Sequence, residues 1–157
     1  MGATTPVAFD PKPRRLGNVQ TYKATSAILR GQLVGPAATA VEGYVIPATS
    51  SATGTPFGFA LNSAAAGELV TVAGNGSELK AMFSVDTAAN DSGDWVGTSA
   101  VAGCVILQVG DVATHETEAA GLFPVGQCQE DGVAGVAPTG STAYIIVNIS
   151  PIWTLHQ

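Results

Sequence analysis

Apolar and polar residues alternate with a period of two through much of the chain, which is the pattern of half-buried β-strands rather than helices. The alternation is sharpest at residues 68–72 and 78–83. There Leu79, Ala81 and Phe83 fall on one face, and Glu78, Lys80 and Met82 on the other. Between the two runs stands Gly74-Asn75-Gly76-Ser77. Asn-Gly tolerates the positive φ values of a tight turn, so the pattern predicts a β-hairpin here. Further strands are expected within residues 20–25, 41–46, 57–61, 101–109, 122–127 and 144–149. Residues 48–56 and the Gly-rich 132–140 read as loops. Helical periodicity is scarce, with one turn at most over residues 62–67. The fold class is therefore all-β, a compact β-sandwich or barrel-like (β-tulip-like) domain.

Part of this pattern occurs twice. Gly31-Gln32-Leu33-Val34-Gly35 returns as Gly93-Asp94-Trp95-Val96-Gly97, and Pro56-Phe57-Gly58-Phe59-Ala60 returns as Pro124-Val125-Gly126-Gln127-Cys128. Gly67-Glu68-Leu69-Val70-Thr71-Val72 has a looser echo near Gly140 to Val147. The order is kept while the connections lengthen. Two copies are too few for a solenoid and suit one domain made of two similar strand units, over about 31–72 and 93–147. The repeated positions carry no reactive side chains, which favours a building block over a catalyst.

Residues 1–18 differ in character. Pro6, Pro11 and Pro13 remove backbone donors, and no apolar period runs through them, so they read as an extended arm ahead of a body at 19–157. Charge sharpens the division. The first thirty residues hold Lys12, Arg14, Arg15, Lys23 and Arg30 against Asp10, whereas the rest holds Lys80 against eleven acids, for a net charge of −6. An acidic body repels nucleic acid, and one small Lys-x-Arg-Arg cluster is not a nucleic-acid footprint. The arm is better read as a contact to an acidic protein surface, and it is expected to be disordered in the free protein. No apolar run approaches a membrane span, and the start lacks the basic and apolar regions of a signal peptide, so synthesis in a host cytoplasm is expected. Only 11% of residues are charged, and the surface this implies, rich in Ala and Gly, suits coverage by other subunits.

Candidate chemistry does not assemble. Cys104 and Cys128 are too far apart in sequence for a Cys-x-x-Cys motif; buried thiols and a disulfide formed after release both stay open. His115-Glu116-Thr117-Glu118 lacks the second His of a helical zinc site, and Asn90-Asp91-Ser92-Gly93-Asp94 lacks the Glu that would close a calcium loop. Neither a nucleophile elbow nor a phosphate loop is present. No metal, cofactor or catalytic set is expected, and the chain does not read as an enzyme. Trp95, Phe57, Phe59, Phe83, Phe123 and Tyr144 fall in expected strands and read as core. Tyr22 and Trp153 flank the body and are candidates for subunit contacts.

The stretch Phe57-Gly58-Phe59-Ala60-Leu61-Asn62-Ser63-Ala64-Ala65-Ala66-Gly67-Glu68-Leu69-Val70-Thr71-Val72 resembles a phrase shared by capsid decoration (head-stabilising, or cement) proteins of tailed bacteriophages and related viruses. The two Gly-x-x-Val-Gly segments match the one that precedes the phrase in that group. The resemblance spans roughly residues 20–150. It implies a structural virion protein that binds the outer surface of the mature icosahedral head, trimerises, and reinforces the major capsid protein lattice. It also implies an arm that docks by adding a strand, which here would be carried by Pro6, Phe9, Pro11, Lys12, Pro13, Arg14 and Arg15. The reading from a different class is a carbohydrate- or surface-binding β module of a tail fibre or cell envelope, for which exposed aromatics would be the mark.

Overall fold

The computed structural model describes residues 7–37, 42–49, 55–84, 91–107, 124–131 and 142–149. The described residues form ten strands and no helix: β1 (Val19–Ala24), β2 (Leu33–Pro36), β3 (Tyr44–Pro47), β4 (Gly58–Ala60), β5 (Leu69–Ala73), β6 (Glu78–Met82), β7 (Trp95–Thr98), β8 (Val105–Leu107), β9 (Pro124–Cys128) and β10 (Thr142–Val147). β1 to β5 make a closed barrel in the order β1-β3-β2-β4-β5, and β6 to β10 make a sheet in the order β6-β10-β9-β7-β8. The fold is all-β, as the alternation of apolar positions requires.

The second sheet repeats the first strand for strand and in register. In the first, Val34 pairs with Pro47 on one side and Gly58 on the other; in the second, Val96 pairs with Leu107 and Gly126. Ala60 faces Val72 as Cys128 faces Ile145. Gln20 faces Val72 as Leu79 faces Ile145. Even the closure is retained: the parallel pair Ala24–Val45 that seals the barrel has its counterpart in the lone parallel bridge Phe83–Val105. Each unit thus begins with a strand, β1 or β6, whose residues show no likeness in sequence.

Alternation sends every second side chain inward. Ala24, Val34, Val45, Ala60, Val70 and Val72 fill the first barrel. Their counterparts Phe83, Val96, Val105, Cys128, Ala143 and Ile145 fill the second sheet's core. Volume is exchanged between layers, since Phe83 replaces Ala24 while Ala143 replaces Val70. Phe59 and Ala73 of the first unit, together with Leu33 and Ala48, turn outward and join the second unit's cluster, so the two units share one core. Leu33 N–H donates to Gly103 O (2.9 Å) and Gly103 N–H to Ala48 O (2.8 Å), which ties the backbones across the same junction.

The hairpin expected at Asn75-Gly76 does not form. β5 pairs with β1 and β4, and β6 pairs with β10, so the turn carries the chain from one sheet to the other. The local turn chemistry is as expected, with Gly76 at φ 83°. Tertiary bonds redirect it: Gly76 N–H donates to Val147 O (3.0 Å), and the Asn75 amide bonds both the N–H and the carbonyl of Ile149. Leu79, Ala81 and Phe83 are buried as the pattern indicates, but Met82, expected on the polar face, is buried too (2% exposed).

Candidate interaction surface

Residues 7–18 lie against the chain's own body, which corrects the expectation of a free arm for this part of it. Phe9 N–H donates to Arg30 O (3.2 Å), Arg30 Nε returns a bond to Phe9 O (3.2 Å), and the Phe9 ring lies over Gly31. A Cβ on Gly31 would stand 2.1 Å from that ring, and Gly31 sits at φ 93°, so two constraints demand glycine here. Pro11 is buried, and its carbonyl accepts the Lys80 N–H (2.8 Å). Arg14 and Arg15 N–H donate to Glu78 O (2.8 and 3.3 Å), while Glu78 N–H donates to Arg15 O (2.9 Å). The arm therefore covers the outer edge of β6 like a short added strand, protecting an edge that would otherwise be open to pairing.

Side chains fasten this strand. The Arg14 guanidinium lies 3.5 Å from the centre of the Tyr144 ring, and its Nη1 is 3.2 Å from Glu78 Oε1. That stacking uses the face of a strand aromatic expected in the core; Tyr144 is half-buried, and its hydroxyl donates to Lys12 O (3.0 Å). The hydrogen bond that Arg14 donates to Glu78, with the fields of Tyr144 and Glu78, holds Arg14 further in its charged form. Arg15 Nε donates to Gly76 O (2.9 Å). The Lys12 and Pro13 side chains are exposed. Of the arm residues singled out by sequence, Pro11, Lys12, Pro13, Arg14 and Arg15 thus run along the β6 edge, while Phe9 docks at Arg30 and Gly31 of the first unit. Pro6 lies outside the described residues, as do Trp153, Phe123, the 110–120 loop with His115, Glu116 and Glu118, and the 132–140 stretch.

A second feature lies at one end of the first barrel. Tyr22 and Phe57 stack with ring centres 5.0 Å apart and planes 14° from parallel. With Tyr44, Pro36, Ala37, Glu42 and Gly43 they line a groove of ≈ 420 Å³. The Tyr22 hydroxyl donates to Gln20 Oε1 (2.6 Å), and partial burial raises its pKa. Lys23 Nζ stands 5.9 Å from the Tyr44 ring centre. Phe57, expected in the core, is 37% exposed. Sequence reasoning did not bring these rings together, because they come from β1, β3 and the residue ahead of β4, whose arrangement no local pattern reveals.

Cys104 and Cys128 are free thiols, both buried, and burial pushes the Cys104 pKa up to about 11. Among the described residues no three His, Cys, Asp or Glu side chains gather as a metal site.

The sequence matches no protein-family model and none of the curated proteins with which it was compared. In structure it is similar to the head fiber gp8.5 N base in bacteriophage phi29, with a TM-score of 0.50 and 14% identity, over 83% of this chain and 93% of that one. At that identity the likeness is one of fold.

Proposed function

We propose that this is a structural protein of a bacteriophage particle that binds the outer surface of the mature head and stabilises it. One observation supports the reading above others: the fold is similar, over 83% of this chain and 93% of the other, to the base of a phage head fibre. The decoration-protein phrase in β4 and β5 points the same way. The mechanism is additive rather than chemical. A protein that binds only the assembled shell stabilises it by mass action, and three copies joined in a trimer raise the effective concentration of each contact. The proposed partners are the major capsid protein and two further copies of this chain.

In this reading the arm's role is shared between its two sides. Its inner side is committed to β6, and its outer side offers the Lys12, Pro13 and Arg15 side chains, with residues ahead of Val7, to an acidic capsid surface. Incubation with purified heads of the encoding virus, followed by pelleting, tests the proposal: saturable co-sedimentation supports it, and its absence with both immature and expanded heads sinks it. Light scattering of the free protein tests the trimer. The groove of Tyr22, Tyr44 and Phe57 is the observation that favours a second reading, a carbohydrate-binding module, and glycan-array binding would promote it.

A further inference from the structure

The contact that joins the two units is not symmetric. The first unit presents an outer wall, in which Leu33 pairs with Phe59 and Phe59 with Ala73. The second presents the end of its sheet where β8 begins. There Leu33 N–H donates to Gly103 O (2.9 Å), Gln32 Nε2 donates to Ala102 O (3.4 Å), and the Gln32 side chain lies over Gly103. Leu33, Phe59 and Ala73 are fully buried, in one cluster with Ala81 and Val125 of the second unit.

Because the units match strand for strand, each side of this contact has a counterpart on the other unit. Val45 matches Val105, so Gly43 and Tyr44 match Gly103 and Cys104, and the two glycines share a left-handed φ of 82° and 79°. Tyr22 faces Val70 as Ala81 faces Ala143, and Phe57 precedes Gly58 as Val125 precedes Gly126. The place that receives the Leu33 wall on the second unit is therefore, on the first, the groove of Tyr22, Tyr44 and Phe57. On the second unit its side chains are the small Ala81, Cys104 and Val125, and the first unit closes over them. On the first they are aromatic and line a groove of ≈ 420 Å³.

The wall has its counterpart as well. Trp95 pairs with Gln127 and Gln127 with Ile146, as Leu33 pairs with Phe59 and Phe59 with Ala73. Val96, Cys128 and Ile145 point into the core, so alternation turns these three residues outward. They are partly exposed where Leu33, Phe59 and Ala73 are buried, and none of them lines the groove of their own chain. Charge follows the same correspondence. Asp94 stands where the inner contact has the neutral Gln32, and Lys23 stands where the second unit has Met82, since Lys23 faces Leu69 as Met82 faces Thr142. Lys23 Nζ is 5.9 Å from the Tyr44 ring centre, with Glu42 the one charged residue of the groove lining.

We infer that a second copy of this chain docks its wall of Trp95, Gln127 and Ile146 on the groove of Tyr22, Tyr44 and Phe57, repeating between copies the contact that joins the units within one. Aromatic side chains at the centre of the patch suit such an interface. The contact is head-to-tail, so it closes into a ring when its rotation allows and otherwise runs on as a filament. Three copies make a ring of six similar units. This docking rests on the trimer proposed above and gives it a surface, and it places a protein rather than a glycan in the groove.

Sedimentation of the full chain and two variants tests it. Ile146→Arg spoils the wall, and Tyr44→Arg spoils the groove. The wild type should sediment as three copies and each variant as one. Mixed in equal amounts, the variants should form a pair, because one intact wall then meets one intact groove. Gln127→Arg and Phe57→Arg replace either variant that loses its β signal by circular dichroism. Folded variants that keep the mass of the wild type overturn the inference and leave the trimer standing. Monomeric variants that fail to pair on mixing overturn it too, since a different surface then joins the copies. A wild type that is monomeric at every concentration overturns it together with the free trimer, while capsid binding still stands or falls by pelleting with heads.

Discussion

Glu130 stands in the second unit where Asn62 stands in the first: Asn62 Oδ1 accepts the Thr71 N–H (2.8 Å), and Glu130 Oε1 accepts the N–H of the matching residue Tyr144 (3.0 Å). The same substitution of partners recurs nearby. Gln32 Oε1 accepts the Leu29 N–H as Asp94 Oδ2 accepts that of Asp91, and Ser63 Oγ accepts the Arg30 N–H as Asp131 Oδ1 accepts that of Ser92. Backbone donors that fail to find a ladder partner need some acceptor. The fold preserves the acceptor atom while the residue that supplies it changes.

Glu130→Ala should therefore destabilise the protein by about 1 kcal/mol, the net value of a typical hydrogen bond, while Glu130→Gln, which keeps a carbonyl oxygen, should lose less. Chemical denaturation of the two variants checks this. Equal losses would mean that the carboxylate charge, not the acceptor, matters.

Gly58 and Gly126 should be equally intolerant of a side chain. A Cβ on Gly58 would stand 2.1 Å from Ala73 O, and one on Gly126 2.4 Å from Ile146 O, the matching carbonyl on the neighbouring strand. Each Gly→Ala change should cost about 1–3 kcal/mol or more in strain, or prevent folding. Thermal melts of both variants compare the two units directly, and a neutral outcome at either position contradicts the shared register.

Arg14→Ala should release the arm from β6 without unfolding the body. The expected sign is faster amide exchange at Glu78 and Lys80, whose N–H groups bond to Arg15 and Pro11. Arg14→Lys should not restore protection fully, because an ammonium cannot lie flat on Tyr144 while meeting Glu78. The difference between wild type and variant should narrow as salt screens the Glu78 contact.

Cys104 gives a pH dependence. Its folded pKa of about 11 exceeds the ordinary value of 9.0 because burial penalises the thiolate. Folding thus favours the neutral thiol, so its contribution is whole below pH 9 and is lost as pH rises from about 9 towards 11. Cys104→Ala should flatten the fall in stability over that window. An unchanged slope would assign the fall to other groups.

The repeat was legible in sequence only where the backbone itself demands a residue type. Gly31 and Gly93, at φ 93° and 99°, and Gly58 and Gly126, against a neighbouring carbonyl, stand at matching places because other side chains are excluded there. The polar supports were not legible, since Asn62 and Glu130 share an acceptor and nothing else. β1 and β6 were not recognised as counterparts, because a strand can keep its register with any alternating side chains. The Asn75-Gly76 turn shows the opposite error. Its local chemistry is that of a hairpin, but the partner that decides its direction, Ile149, lies far away in sequence. The docking of Arg14 on Tyr144 is likewise a long-range event, and it is why the proline-rich arm read as free.

The most direct measurement of the central proposal is electron-microscopic reconstruction of heads of the encoding virus, with and without this protein. The account predicts added density on the outside of the expanded shell, at its local three-fold positions, into which the two-unit β body fits with the Lys12 side of the arm towards the capsid. Heads that are identical in the two preparations, or density confined to the tail, would contradict it.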